Sequence, residues 1–299
     1  MTAERRSNTL VETPYTPGMK QGINGMNSLF LRKLTRSPKT LKALVIGGLV
    51  VTLLGTLKSV GATDTEASAT RFESGEKKVS LIELYTSEGC SSCPPADRWL
   101  TSLKEGEALW ENVVPVAFHV SYWDRLGWPD RFAQRKFDTR QRQVAQRANS
   151  GVYTPGVFRD GQEFRSWRRN TVQSIDAAFT AASERSPAAG NLQLEDIGND
   201  RWALSYQPAP GTADQIDQAF VAVLGNNLSN AIQRGENAGR KLDHDFVVLH
   251  LDAAKLQRTD NNSLRAEFKL DPRITAQPAL AAWVVDHNGT PVQALGGLL

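Results

Sequence analysis

Cys90 and Cys93 are the only cysteines in 299 residues, and they stand two residues apart in "GCSSCPPAD". Three chemistries compete for such a pair. As a structural staple it is poor. Closing a loop of about four residues contributes only ~2 kcal/mol in the chain-entropy account, against ~4–5 kcal/mol for a loop of about 100. As a zinc site it is short of ligands, because a closed site needs four. His119, His244, His250 and His287 could add nitrogens, and a copper site of two thiols and His119 stays open, yet no two of these histidines have ligand spacing. Redox exchange needs only what is present. A thiolate attacks a disulfide, and a second cysteine two residues on resolves the mixed disulfide and frees the partner. By position Cys90 is the attacking sulfur and Cys93 the resolving one.

Those sulfurs need a scaffold, and the flanking pattern predicts one. "VSLIELYTS" (79–87) is a β-branched apolar run of strand length. "ADRWLTSLKEGEALW" (96–110) predicts an amphipathic helix from Trp99, Leu100, Leu103 and Leu109. "VVPVAFHVSYW" (113–123) is apolar on both faces, as in a parallel strand covered on both sides. "DRFAQRKFDTRQRQVAQRANS" (130–150) predicts a charged helix with one face in solvent. Asp160-Gly161 predicts a hairpin, and "NTVQSIDAAFTAASE" a final helix capped by Asn170 or Thr171. The order β-α-β-α-β-β-α predicts an α/β unit with a parallel-containing sheet and helices on both faces. It sets the cysteines at a strand-to-helix turn. Because Cys93 precedes a proline, it is expected outside the α region, capping a helix whose first residue is Pro94. Glu88 brings a negative charge near Cys90, which opposes its thiolate.

Loops at the carboxyl ends of such strands are where ligands bind. His119 and Asp124 in one loop, and Asp97 in the first turn of its helix, are candidates for proton transfer. Tyr122 and Trp123 are candidates to line a substrate groove. Each also has a plain structural role: a hydrogen-bonded core histidine, packed aromatic rings, a carboxylate that favours the helix dipole. "RGENAGRKLDHD" (234–245) lacks the Lys-Ser/Thr ending of a phosphate loop and reads as a loop returning onto the first unit.

Residues 1–62 carry nine basic side chains and two acidic ones, which leaves 26 basic against 30 acidic groups in the remainder. A mildly acidic body argues against nucleic acid as a partner. "ALVIGGLVVTLLGTL" (43–57) is uncharged but shorter than the roughly 20 residues of a spanning helix. It suits the apolar core of a signal peptide, with "VGA" at Val60–Ala62 as the cleavage site, and an uncleaved membrane anchor is the alternative. Both place the body outside the cytoplasm, in the periplasm or secreted, where disulfides persist. Residues 63–78 read as a polar linker and 79–186 as the α/β unit. Residues 187–299, with short strand-like runs between turn signals, read as an appended, mostly antiparallel, sandwich-like β domain.

A CxxC between the first strand and helix, followed by Thr154-Pro155 leading into a hairpin, resembles the thioredoxin fold. That resemblance implies a cis-proline at Pro155 facing the cysteine pair, with Thr154 and Pro155 holding an extended substrate segment. "ELYTSEGCSSCPPAD", "FHVSYWDRLGW", "RQRQVAQ", "VYTPGVFRDG" and "RGENAGRKL" follow in the order found in a bacterial secreted thioredoxin-like family. From Val79 onward the chain resembles that family, catalogued as domain of unknown function 1223 (DUF1223). Ser121 stands where the pattern has Asp. The family implies a fold and a location outside the cytoplasm but no reaction. The expected activity is thiol–disulfide exchange on a protein substrate through Cys90 and Cys93, with no cofactor. Lacking a third cysteine, the pair would be regenerated by an external redox partner. A binding module with a fixed local disulfide, and copper handling by the thiols and His119, are the other two expectations.

Overall fold

The computed structural model describes residues 69–299; the basic leader, the apolar stretch 43–57 and the candidate cleavage site all lie outside them. Inside the stretch expected as linker, Arg71–Glu73 forms an edge strand, β1. Phe72 explains it: its ring stacks on Trp202 at 6.4 Å and gives the strand an apolar side to bury.

Strands β2 (Ser80–Thr86) and β3 (Val113–His119) are buried along their whole length. They pair in parallel, from Ser80 opposite Val113 to Thr86 opposite His119. β4 (Gly156–Arg159) runs antiparallel along the other side of β2, and β5 (Gln162–Glu163) completes a hairpin with it. Asp160 and Gly161 make the turn, both at positive φ (48° and 78°), the conformation that lets two-residue hairpins keep their strand twist.

Two α-helices connect these strands, α1 (Pro94–Ser102) between β2 and β3 and α2 (Arg135–Arg147) between β3 and β4, and α3 (Val172–Arg185) follows β5. α1 stops well short of the expected Trp110. The turn after it wraps around Asp176 of α3, whose carboxylate accepts from the Glu107 and Ala108 N–H groups at 3.0 and 3.3 Å. Gly106 is needed there because a Cβ would run into that carboxylate. α2 starts five residues later than expected, since Asp130 is spent as a buried acceptor in the preceding loop. Thr171 caps α3 by accepting from the Ser174 N–H at 3.3 Å.

The remaining strands are β6 (Asn191–Asp196), β7 (Arg201–Gln207), β8 (Ile216–Gly225), β9 (Leu228–Ala231), β10 (Lys241–His244), β11 (Val247–Lys255), β12 (Gln257–Arg258), β13 (Leu264–Lys269), β14 (Pro278–Asp286) and β15 (Pro291–Leu298). They divide between sheets. One five-stranded sheet has the order β1-β6-β7-β13-β12, and β9 and β10 form a small ribbon. The others extend the first unit itself, giving an eight-stranded sheet in the order β15-β14-β8-β11-β3-β2-β4-β5. The join is the parallel contact of β11 with β3, where Val247 stands opposite Ala117. The C-terminal region thus continues the sheet that carries the cysteines instead of forming a body appended beside it, and the described residues belong to one compact unit.

Period-two alternation explains how one sheet serves two cores. On β14, Leu280, Ala282 and Val284 face the core shared with the five-stranded sheet, while Ala281, Trp283 and Val285 face the core around β2, β3 and the helices. β8 divides likewise, Val221 and Val223 from Ala222 and Leu224. The molecule is therefore mixed α/β, with sheets outweighing its few helices.

Candidate active site

Cys90 and Cys93 are joined in a disulfide, with Cα atoms 5.4 Å apart and both residues 0% exposed. Ser91 and Ser92 between them are exposed. Cys93 is the N-cap of α1 and Pro94 its first residue, as expected. The expected departure from the α region does not occur: Cys93 has φ −78° and ψ −37°. A turn bond from its N–H to the Cys90 carbonyl, 3.2 Å, together with the covalent bridge, outweighs the steric preference of a pre-proline residue. Ser92 Oγ lies 3.4 Å from Cys90 Sγ.

Five ionisable side chains are buried behind this turn: Glu88, Asp97, His119, Asp130 and His244. Asp130 Oδ2 takes the Glu88 N–H at 2.9 Å and lies 2.6 Å from His119 Nδ1. The Glu88 carboxylate accepts from Trp128 Nε1 at 2.8 Å and Asn230 Nδ2 at 2.9 Å, with His244 Nε2 3.3 Å away. That charge is committed to these partners. The rings of His119 and His244 meet edge to face, centroids 5.0 Å apart. His119 Nε2 and both nitrogens of His244 have no hydrogen-bond partner among the described residues. Burial raises the Asp97 pKa, against the opposing influence of His244 and His119.

His119 and Asp130 act as a pair. Burial alone would lower the His119 pKa, but the charge and hydrogen bond of Asp130, with Asp97 and Glu88 beyond, carry it upward. Burial alone would raise Asp130, but His119 and the N–H groups of Glu88 and Phe132 bring it down. A raised histidine stabilises the fold below the ordinary value of about 6.5 and loses that contribution as pH rises through its folded pKa. A lowered aspartate contributes above about 3.9 and loses it as pH falls through its folded pKa. The pair is most stabilising between those limits. Asp130→Asn is expected to move the NMR titration of the His119 ring to lower pH than in the wild type. An unchanged titration would dismiss the pairing.

The other candidates lie in the loop after β3 and just before β4. The Thr154–Pro155 bond is cis, the isomer expected at that position. The last β2–β4 pair, Tyr85 with Gly156, brings Pro155 beside the carboxyl end of β2. Trp123 Nε1 donates to Thr154 Oγ1 at 2.7 Å, and Trp123 packs on Gly89, where a Cβ would lie only 3.0 Å from Trp123 Cβ. Tyr122 donates to Gln141 at 3.2 Å. Asp124 accepts from the Asp130 N–H at 3.1 Å, and burial raises its pKa. It braces the loop, whereas Asp97 and His119 sit in one buried cluster. Ser121, which replaces Asp in the pattern, takes an acid from elsewhere: its N–H and Oγ both bond the Asp138 carboxylate of α2 at 2.7 Å.

The glycine-rich loop at 234–245 does return onto this turn. Asn237, fully buried, donates from Nδ2 to the carbonyls of Glu88 and Cys90 at 2.8 and 3.0 Å. Glu236 accepts from Ser91, at 3.1 Å from the N–H and 2.6 Å from Oγ. These two residues strap the disulfide loop from about 145 positions away. Sequence reasoning missed Asp130, His244, Glu236 and Asn237 as members of the site; the RGENAG stretch was the one available signal. Among the described residues no group of three or more His, Cys, Asp or Glu is arranged to hold a metal ion, and no helix is long and apolar enough to cross a membrane.

A family model described as "Protein of unknown function (DUF1223)" matches residues 81–285. The chain belongs to that family. It is similar to the crystal structure of a protein from Agrobacterium tumefaciens (TM-score 0.53, 20% identity, covering 75% of this chain and 95% of that one). It is also similar to HBP35 of Porphyromonas gingivalis (TM-score 0.56, 16% identity, covering 75% and 76%). Both likenesses concern the fold alone. No curated protein matches the chain.

Proposed function

We propose that this DUF1223 member is a thioredoxin-like protein that exchanges disulfides with protein partners outside the cytoplasm. The observation that carries the reading is the Cys90–Cys93 disulfide at the β2–α1 turn, backed by buried Asp97 and His119. Parallel β2 and β3, the antiparallel β4–β5 hairpin and the three helices support the thioredoxin-like part.

In the oxidising direction a partner thiolate attacks Cys90 Sγ, the Cys90–Cys93 bond breaks, and Cys93 leaves as a thiolate that takes up a proton. A second partner thiolate attacks the mixed disulfide, and Cys90 leaves with both electrons now on the protein's dithiol. The reducing direction is the same path reversed. Asp97 and His119 form the buried proton store, and Trp123, Tyr122, Thr154 and Pro155 border the partner segment. An external redox partner resets the pair.

Cys93→Ala is expected to trap Cys90-linked mixed disulfides with partner proteins. If nothing is captured and Cys90 alkylates as slowly as an ordinary thiol, the exchange reading fails. A second reading rests on the complete burial of both cysteines, which favours a binding module with a fixed local disulfide. A reduction potential below about −300 mV would select it.

A further inference from the structure

The surface beside the disulfide is asymmetric in charge. One turn of α1 presents Pro95, Arg98 and Trp99, spaced i, i+3 and i+4 and so on one face. Across from it the short 3-10 helix Arg165–Arg169 presents Trp167 and Arg168. Between them lies a cleft of about 640 Å³, with Ser92 among its lining residues. Its floor is aromatic: Trp99 and Trp167 are largely buried, with ring centroids 5.7 Å apart. Its rim is cationic. Arg98 and Arg168 are exposed, and neither forms an ion pair among the described residues. The Arg168 guanidinium lies over the Trp167 ring, 4.7 Å from its centroid. No carboxylate lines the cleft. One guanidinium over an aromatic floor and a second lining the same cleft, neither in an ion pair among the described residues, suit an anion attached to something hydrophobic.

The position gives the cleft its meaning. Ser92 both lines it and touches Cys90 Sγ, 3.4 Å away. A partner chain whose sulfur is bonded to Cys90 would lay its neighbouring residues over Ser92. At about 3.3 Å per extended residue, the cleft is reached by the residues next to the partner's cysteine.

We infer that this cleft selects partner segments in which a large apolar side chain and one or two carboxylates flank the reacting cysteine. The inference deepens the exchange reading and rests on it. The apolar side chain lies on Trp99 and Trp167, and the carboxylates pair with Arg98 and Arg168, whose planar forks suit them. The occupant is a stretch of another protein, and the charge complement is what admits it.

Two single-cysteine peptides test this, one with a phenylalanine and two glutamates before the cysteine, the other with lysines in place of the glutamates. Oxidised full-length protein at low salt is expected to react with the acidic peptide about tenfold faster, as two partly desolvated ion pairs would allow. The gap should close at about 1 M salt, where the screening length is about 3 Å. The double variant Arg98→Glu, Arg168→Glu should reverse the order, and Arg98→Gln, Arg168→Gln should erase it. Equal rates in the wild type, or an order that survives reversal, would overturn the inference. The same peptides with serine for cysteine separate it from its premise by calorimetry. Charge-ordered binding without any exchange would uphold the cleft and sink the exchange reading. Exchange without charge-ordered binding would do the opposite.

Discussion

Glu83→Ala is expected to lower the free energy of unfolding by about 3–5 kcal/mol, the usual cost of removing one partner from a buried charge pair. Glu83 lies on β2, fully buried, in the middle of the eight-stranded sheet. Its Oε1 takes both Nε, at 3.0 Å, and Nη2 of Arg140 from α2, while Oε2 accepts from Tyr85 at 3.1 Å. Arg140 has nowhere else to go. Its guanidinium sits over the rings of Phe118, Phe220 and Trp283, 4.8–5.2 Å from their centroids, where among the described residues Glu83 alone answers it with a carboxylate. Without Glu83 a permanent cation is left among aromatic rings. Urea denaturation would measure the loss. A cost below about 1 kcal/mol would mean that water reaches the guanidinium and the pair is a surface one. Replacing both residues by apolar ones of similar size should be far milder than Glu83→Ala alone, since it leaves no unmatched charge. Phe220 and Trp283 belong to β8 and β14, so this one pair ties the first unit to the C-terminal strands.

Arg140 also marks where legibility ends. The charged run of α2 reads as a solvated face, and most of it is, but nothing in the run distinguishes the arginine that turns inward. What decides it is Glu83, an acid in the centre of an apolar strand. The strands and helices that carry the cysteines were readable because each has its own local period and boundary: β2 and β3 as continuous apolar runs, the hairpin by Asp160-Gly161, α1 by its prolines. β15 was not, because its Gly296 and Gly297 carry no strand signal. Their reason is tertiary, since a Cβ on either would strike the ring of Trp110 or Phe72. The site divides along the same line. Cys90, Cys93 and Asp97 lie at one strand-to-helix turn and His119 at the end of the neighbouring strand, positions that local patterns make legible. Asp130 reaches it from the loop after β3, where the sequence reads as the start of a helix, and His244, Glu236 and Asn237 reach it because β11 joins β3 and carries the preceding segment along. No spacing rule encodes a neighbour that a parallel strand contact creates.

That loop is the basis of the second large effect. Asn237→Ala is expected to cost about 2–4 kcal/mol in stability and to speed reduction of the Cys90–Cys93 disulfide by dithiothreitol by about 10- to 30-fold. The stability term follows from what is stranded: the carbonyls of Glu88 and Cys90, which lose their shared Asn237 Nδ2 donor inside the fold. The kinetic term follows from access. Both sulfurs are covered, so a small thiol reacts only when the turn opens locally, and the strap sets how often it does. Glu83→Ala supplies the control. It destabilises the fold at least as much, through a pair that makes no hydrogen bond to Glu236 or Asn237, and should leave the reduction rate near that of the wild type under native conditions. If both variants speed reduction alike, the thiol enters by global unfolding and the strap has no gating role. If only Asn237→Ala does, the C-terminal loop governs when the disulfide can be attacked. A covered CxxC then becomes compatible with exchange, because any partner that reduces it must first displace Asn237.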